Sequence, residues 1–306
     1  MEISDGPLGP LLLARGTIDR SALLRNDGDW LERAWAAEKT RVLIVHEGST
    51  SVRRFTDGAA LTLTSPLEAP EAAQEARYLL GVDDDGVAYF AVRSPLPPGD
   101  TVALREAAGL LDDRDAGLLV NAVALEAWHA THEFCPRCGS RTDVVAAGHM
   151  RVCPRDGSQH FPRVDPAVIM LVHDDDDRVL LARGQGWPEG RMSVLAGFVE
   201  PGESLEHAVI REVVEEVGVT VTAPRYLGSQ PWPFPRSLML GFFARAVTTE
   251  LRLDREEIAE AHWLSRAELT ALVEAGELGL PGPVSIACRL IEAWYGGPVS
   301  RTGDWR

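Results

Sequence analysis

Three glutamates near the middle of this 306-residue chain, Glu212, Glu215 and Glu216 in "REVVEEVGV", are spaced for cation chemistry. On a helix that turns about 100° per residue they fall within an arc of roughly 100°. Like charges so close repel one another. A hard divalent cation removes that penalty, and oxygen ligands with retained waters suit Mg²⁺ or Mn²⁺. A solvated acidic face is the plainer reading of such a run. A second set of ligand types lies upstream, where "CPRCG" (135–139) is followed by "CPRDG" (153–157). Cys135, Cys138 and Cys153 have the spacing of a zinc ribbon, with Asp156 where the fourth thiol would stand. Zinc accepts carboxylate oxygen, so three thiolates and Asp156 make a feasible closed, structural site. His160 is the main rival for the fourth place and His149 a weaker one, and a ribbon that has lost its metal is the third option.

The elements that must position these groups can be read from periodicity. Leu205 to Val217 has strong helix formers with no internal Gly or Pro, and Gly218 stops it. Val209, Ile210, Val213, Val214 and Val217 cover a different side from the acids and are expected to pack on a sheet. "AVIMLVHDDDDRVLLARG" (167–184) reads as strand, aspartate turn and strand. "ARYLLGVDDDGVAYFAVRS" (76–94) has the same layout, "RVLIVHEG" (41–48) is a buried strand, and 114–134 is a helix leading to the first knuckle. This echo suggests a shared architecture for the two halves. The first half lacks a glutamate helix, which makes it a scaffold or dimerisation domain. Residues 66–76 and 94–100 read as loops. In "SQPWPFPRS" (229–237) three prolines argue against helix and central strand, leaving a stiff loop that displays Trp232 and Phe234. The expected division is 1–130, 131–163 and 164–306, in the α/β (α+β) class.

Composition narrows the function classes. The formal charge is −16 and 45% of residues are hydrophobic, so a proper core is available. Such a surface repels nucleic acid and phosphate unless a cation mediates the contact. The start, "MEISDGPLGPLLLARG", lacks a basic region and a long apolar run, so it does not read as a secretory signal. No stretch approaches the roughly 20 apolar residues of a membrane span. Four cysteines, three of them clustered, fit a reducing cytoplasm, and Cys288 reads as a small buried apolar residue.

The stretch 197–219 also carries a complete Nudix box, G-x5-E-x7-R-E-U-x-E-E-x-G-U, as Gly197, Glu203, Arg211, Glu212, Val213, Glu215, Glu216, Gly218 and Val219. The chain thus resembles the Nudix hydrolases, which cleave a nucleoside diphosphate linked to another moiety. SQPWPFPRS after the box, and a four-ligand zinc motif before it, resemble the NADH pyrophosphatase (NudC-type) subfamily over nearly the whole chain. The resemblance implies an N-terminal Nudix-like domain, a zinc ribbon and a C-terminal Nudix fold with a mixed sheet sandwiched by helices. It implies hydrolysis of the pyrophosphate of NADH or NAD to nicotinamide mononucleotide and AMP. Glu212, Glu215 and Glu216 would be metal ligands or water-activating groups, and Arg211 would pair with a box glutamate, Glu203 foremost. Ala196 would offer its carbonyl to a metal, and one acid of 253–263 would join it: Glu257, with Glu256 the near alternative. By the same pattern Gln230, Pro231, Trp232, Pro233, Phe234, Pro235, Arg236 and Ser237 line the substrate pocket, Phe198 stacks on the base and Ala287 closes the pocket. Phe161 stands where the family has a stacking Tyr. The resemblance also implies a homodimer. Removal of an NAD cap from RNA would break the same bond. A non-catalytic nucleotide-sensing regulator is the alternative of a different class.

Overall fold

The computed structural model describes residues 8–74 and 76–299. The beginning of the N-terminal stretch and Glu75 of the 66–76 segment lie outside the described residues. The chain divides into two compact units: residues 13–164 with 232–236, and residues 8–12, 165–231 and 237–299.

In the N-terminal unit, α1 (Gly28–Ala36) starts at Asp27, whose carboxylate accepts the Trp30 amide at 2.9 Å. The sheet contains β1 (Arg41–His46), β2 (Ser49–Phe55), β3 (Gly58–Leu61), β4 (Leu63–Thr64), β5 (Tyr78–Val82), β6 (Ala88–Arg93) and β7 (Thr101–Ala103). Its order is β3-β2-β1-β6-β5, with β4 also on β1 and β7 on β2; β1 and β6 run parallel, and β1–β2, β1–β4, β2–β3, β2–β7 and β5–β6 antiparallel. The short α2 (Leu104–Ala107) precedes α3 (Asp113–Thr131), which Asp112 caps through the Asp115 amide. The helix expected over 114–134 therefore ends three residues sooner. Asp115 is buried beneath it and accepts the Leu61 amide at 2.8 Å, so the sheet edge and the helix start are tied by one carboxylate. The ribbon is the small antiparallel sheet of β8 (Asp143–Val145), β9 (Met150–Val152) and β10 (Gln159–His160).

The C-terminal unit is built on β11 (Asp165–His173), β12 (Val179–Gly184), β13 (Leu195–Phe198), β14 (Val221–Trp232), β15 (Ser237–Ala246) and β16 (Ile258–Leu264). The order is β14-β15-β11-β12-β16, with β13 also paired to β11 and β11 parallel to β15. Alternation assigns the two faces. Val168, Met170 and Val172 of β11 join Leu180 and Phe242 beneath α4 (Leu205–Val217). Ile169 and Leu171 pack with Leu181 and Phe243 beneath α5 (Arg266–Glu274) and α6 (Ile286–Tyr295). The result is the mixed sheet between helices that the sequence led us to expect. Both units also set a parallel strand pair in a mainly antiparallel sheet.

One expectation is corrected. Residues 229–232 are strand, not loop, because β14 is an edge strand and tolerates Pro224 and Pro231 without losing a central ladder bond. Only 233–236 turn between the two strands. Residues 66–68 and 71–74 of the first expected loop form short 3₁₀ turns.

Candidate active site

Helix α4 has a defined start and stop. The Ser204 hydroxyl accepts the His207 amide at 3.3 Å, and Gly218 ends the helix at φ 72°. Val209, Val213 and Val217 are fully buried against the sheet. Val214, expected in that packing, is 44% exposed instead, because it sits about 60° outside the buried arc. Glu212 and Glu216 take the other part of that arc and are only 9% and 7% exposed, whereas the Glu215 side chain is 58% exposed. Burying each valine gains about 1.5–3 kcal/mol, which outweighs the few tenths lost to repulsion between acids at i,i+4. It leaves in place the several kcal/mol that a buried carboxylate costs unless it is protonated or paired. The helix thus holds two acids where they need a proton or a cation.

Gly197 of β13 explains how Glu212 fits. A methyl group at that position would occupy the volume of the Glu212 carboxylate. Arg211 supplies part of the counter-charge: its Nε and Nη2 donate to the two oxygens of Glu203 at 2.8 Å each. Its Nη1 donates to Glu212 at 2.9 Å and to Glu215 at 3.0 Å, and Nη2 also reaches the Phe198 carbonyl at 2.9 Å. The fork of Arg211 holds Glu203 down to a pKa of about 2. Glu216 receives nothing comparable. Burial first, then the charges of Glu212, Glu257 and Glu215, push its pKa up to about 8. Its Oε2 is buried without a hydrogen-bond partner among the described residues. Burial likewise raises Glu212. An orphaned buried carboxylate oxygen amid further acids is what a divalent cation would satisfy, so the residues fit such an ion.

The other expected site residues divide into two groups. Ala196 is exposed on β13 opposite Ile169, and Phe198 is 61% exposed two residues on. Glu257 lies exposed in the turn before β16, and its charge acts on both Glu212 and Glu216. Where β14 passes into the turn, Trp232 and Phe234 meet edge to face at 5.0 Å, and the Arg105 guanidinium covers both at 5.0 and 4.8 Å. Pro231, Arg236 and Ser237 are partly exposed, Pro235 is exposed and Pro233 is buried. Two residues expected at the pocket wall face inward. Gln230 is 0% exposed, with its Nε2 donating to the Val284 carbonyl at 2.9 Å. Ala287 is 1% exposed within the core under α6. Phe161 is 61% exposed just beyond β10.

In the ribbon, one ligand atom each from Cys135, Cys138, Cys153 and Asp156 lie within 4.8 Å of one another. Paired backbone turns build the two knuckles, with Gly139 and Gly157 amides donating to the Cys135 and Cys153 carbonyls at 2.9 Å. Ser158, which the sequence reading missed, is the hub beside them. It donates to Asp156 Oδ1 at 2.6 Å, contacts His160 Nε2 at 3.0 Å and lies 3.4 Å from Cys135 Sγ. His160 is thus linked to Asp156 through a hydroxyl. His149 is committed elsewhere, with Nε2 2.7 Å from the Leu79 carbonyl. The only sequence signal for Ser158 is its place directly after the second knuckle. Three thiols and one carboxylate fit the donor set of a closed zinc site.

Family models match three segments of the chain: a NUDIX domain over residues 163–280, an NADH pyrophosphatase zinc ribbon domain over 130–161, and an NADH pyrophosphatase-like rudimentary NUDIX domain over 39–128. The NAD-capped RNA hydrolase NudC of Mycobacterium bovis (strain BCG / Pasteur 1173P2) is 42% identical, covering 92% of this chain and 94% of that protein. The protein of the same name from Mycobacterium tuberculosis (strain H37Rv) is 41% identical over the same shares. The NAD-capped RNA hydrolase NUDT12 of Pongo abelii is 40% identical over 60% of this chain and 42% of its own length. Identity at this level across nearly the full length, with all three segments matched in order, shows that the chain belongs to the NudC family of Nudix hydrolases.

Proposed function

We propose that the protein hydrolyses the pyrophosphate bond of NADH or NAD to nicotinamide mononucleotide and AMP, using Mg²⁺ or Mn²⁺ at the carboxylate cluster. The observation that carries this reading is the buried, unpartnered Glu216 oxygen beside Glu212, within the field of Glu215 and Glu257. Glu212, Glu215, Glu216 and Glu257, with the Ala196 carbonyl, would hold the divalent ions. Such ions, when bound, neutralise a diphosphate and lower the pKa of an attacking water. Arg211 and Glu203 set the pitch of the preceding loop against α4, which fixes the side chains of Glu212 and Glu215. The exposed ring of Phe198 offers a face to a base. If Phe198 stacks equally on ground and transition states, Phe198→Ala raises KM and leaves kcat nearly unchanged. The ribbon would hold Zn²⁺ through Cys135, Cys138, Cys153 and Asp156 as a brace with no open position. The N-terminal domain, with residues 1–130 as its extent, would serve as scaffold in a cytoplasmic homodimer.

The relatives named for NAD-capped RNA favour a second reading, in which the same bond is cut at the capped 5′ end of an RNA. Product analysis after incubating NADH with protein and Mn²⁺ tests the chemistry: reduced nicotinamide mononucleotide and AMP are expected, and intact NADH would refute it. Single-turnover rates on NADH, NAD and NAD-capped RNA then separate the substrates.

A further inference from the structure

Where the ribbon meets the N-terminal sheet, within one compact unit, a cavity of about 410 Å³ is lined by Arg93, Arg141 and Arg151. Three guanidiniums around one cavity run against the sign of a chain with a net charge of −16. Arg151, on β9, is only 5% exposed. Its Nε donates to Thr142 Oγ1 at 2.7 Å and its Nη2 to the Thr142 carbonyl at 2.8 Å. Its Nη1 lies 2.9 Å from His129 Nδ1. Arginine can only donate, so His129 Nδ1 accepts, and the ring must carry its hydrogen on Nε2, which donates to the Gly148 carbonyl at 2.9 Å. All the partners of Arg151 are therefore neutral. A guanidinium has five N–H donors, and these contacts use three, leaving two on a buried cation without a paired carboxylate. A buried charge in that condition is costly until an anion reaches it.

The neighbouring arginines are only loosely engaged. Arg93 Nε stands 3.6 Å from Glu126, a carboxylate already accepting the Glu47 and Gly48 amides. Arg141 stands 3.5 Å from Glu133 and its side chain is 75% exposed. Glu133 and Asp143 also line the cavity, so three positive groups face two negative ones. The balance leaves room for a compact anion and disfavours a polyanion.

We propose that this cavity binds a phosphate group, gripped by Arg151 and Arg93 with Arg141 at the exposed side. Its volume accommodates either free phosphate or the phosphate end of a mononucleotide. The proposal does not depend on the catalytic reading above, since the lining carries the opposite sign to the glutamate cluster.

The test is equilibrium dialysis of the full-length, zinc-loaded protein against inorganic phosphate without other divalent ions, with ionic strength held constant by chloride. Saturable binding is expected in the millimolar range or tighter. Arg93→Gln should weaken it about tenfold or more, since a charge-assisted contact is lost. Glu133→Gln should strengthen it by removing a competing carboxylate. Arg151→Lys supplies an independent check, provided its circular dichroism matches the parent. A second arm with AMP identifies the source: tighter binding that shares the Arg93 dependence points to a mononucleotide, and equal binding to free phosphate. Absence of saturable phosphate binding overturns the proposal. So does binding unaffected by Arg93→Gln and Arg151→Lys, or binding lost with Arg211→Gln instead, which would put the phosphate beside the glutamate cluster.

Discussion

Glu216 holds the chemistry of the site in one side chain. With no cation bound, the folded protein keeps its proton up to about pH 8, whereas an unfolded chain releases it near 4.5. The stability this group contributes is therefore complete below about pH 4.5 and is lost as pH climbs toward 8. The thermal midpoint of the metal-free protein should fall over that interval, and Glu216→Gln should flatten the slope. Mn²⁺ should restore the parent at pH 8 and do little for the variant. A pH profile of the midpoint that is the same in both proteins would refute the assignment. Turnover should be lost in Glu216→Gln with the fold intact. Gly197→Ala tests the neighbouring carboxylate differently, since the added methyl enters the space of Glu212. The loss of activity should approach that of Glu212→Gln, while the circular dichroism spectrum stays that of the parent. Full activity would mean that Glu212 can leave its place without consequence.

Helix α4 was legible in the sequence down to its end residues because its signals are local: strong formers, no internal Gly or Pro, and a terminal glycine. The burial of its acids was not legible. A helical wheel separates valines from glutamates, yet the sheet covers an arc wide enough to take in Glu212 and Glu216 and leaves Val214 outside. Only the sheet's breadth decides that, and it is assembled from strands distant in sequence. Residues 229–232 show the same limit, since the tolerance of a strand for Pro231 depends on β14 being at the edge. Gln230 and Ala287, assigned to a pocket wall by resemblance, are buried, and no local signal in the sequence announces that burial. The ribbon was readable from its paired knuckles, apart from Ser158. That hydroxyl steers Asp156 and separates it from His160, so Asp156→Ala should lower zinc content or affinity, whereas His160→Ala should change it much less. Zinc stoichiometry and competition with a chelator measure both. Unchanged zinc in Asp156→Ala would transfer the fourth place to His160.

At the scale of the whole chain the dominant quantity is the charge of −16. It acts through ionic strength, because the screening length shrinks from about 30 Å at 0.01 M salt to about 8 Å at 0.15 M. A protein that captures nucleic acid through a basic surface binds it less well as salt rises, since released counterions become less favoured. Here the net field opposes an incoming polyanion, and divalent ions at the carboxylate cluster offset it only locally. If the same bond is cut in NADH and in NAD-capped RNA, kcat/KM for the capped RNA should rise with added salt between those limits. The value for NADH, with its two phosphate charges, should change far less. The comparison requires a saturating, constant concentration of free Mn²⁺ and a salt that does not bind it. A fall in kcat/KM for capped RNA would reveal an attractive local surface strong enough to overcome the field of the whole molecule. The two substrates would then be steered by different parts of the protein.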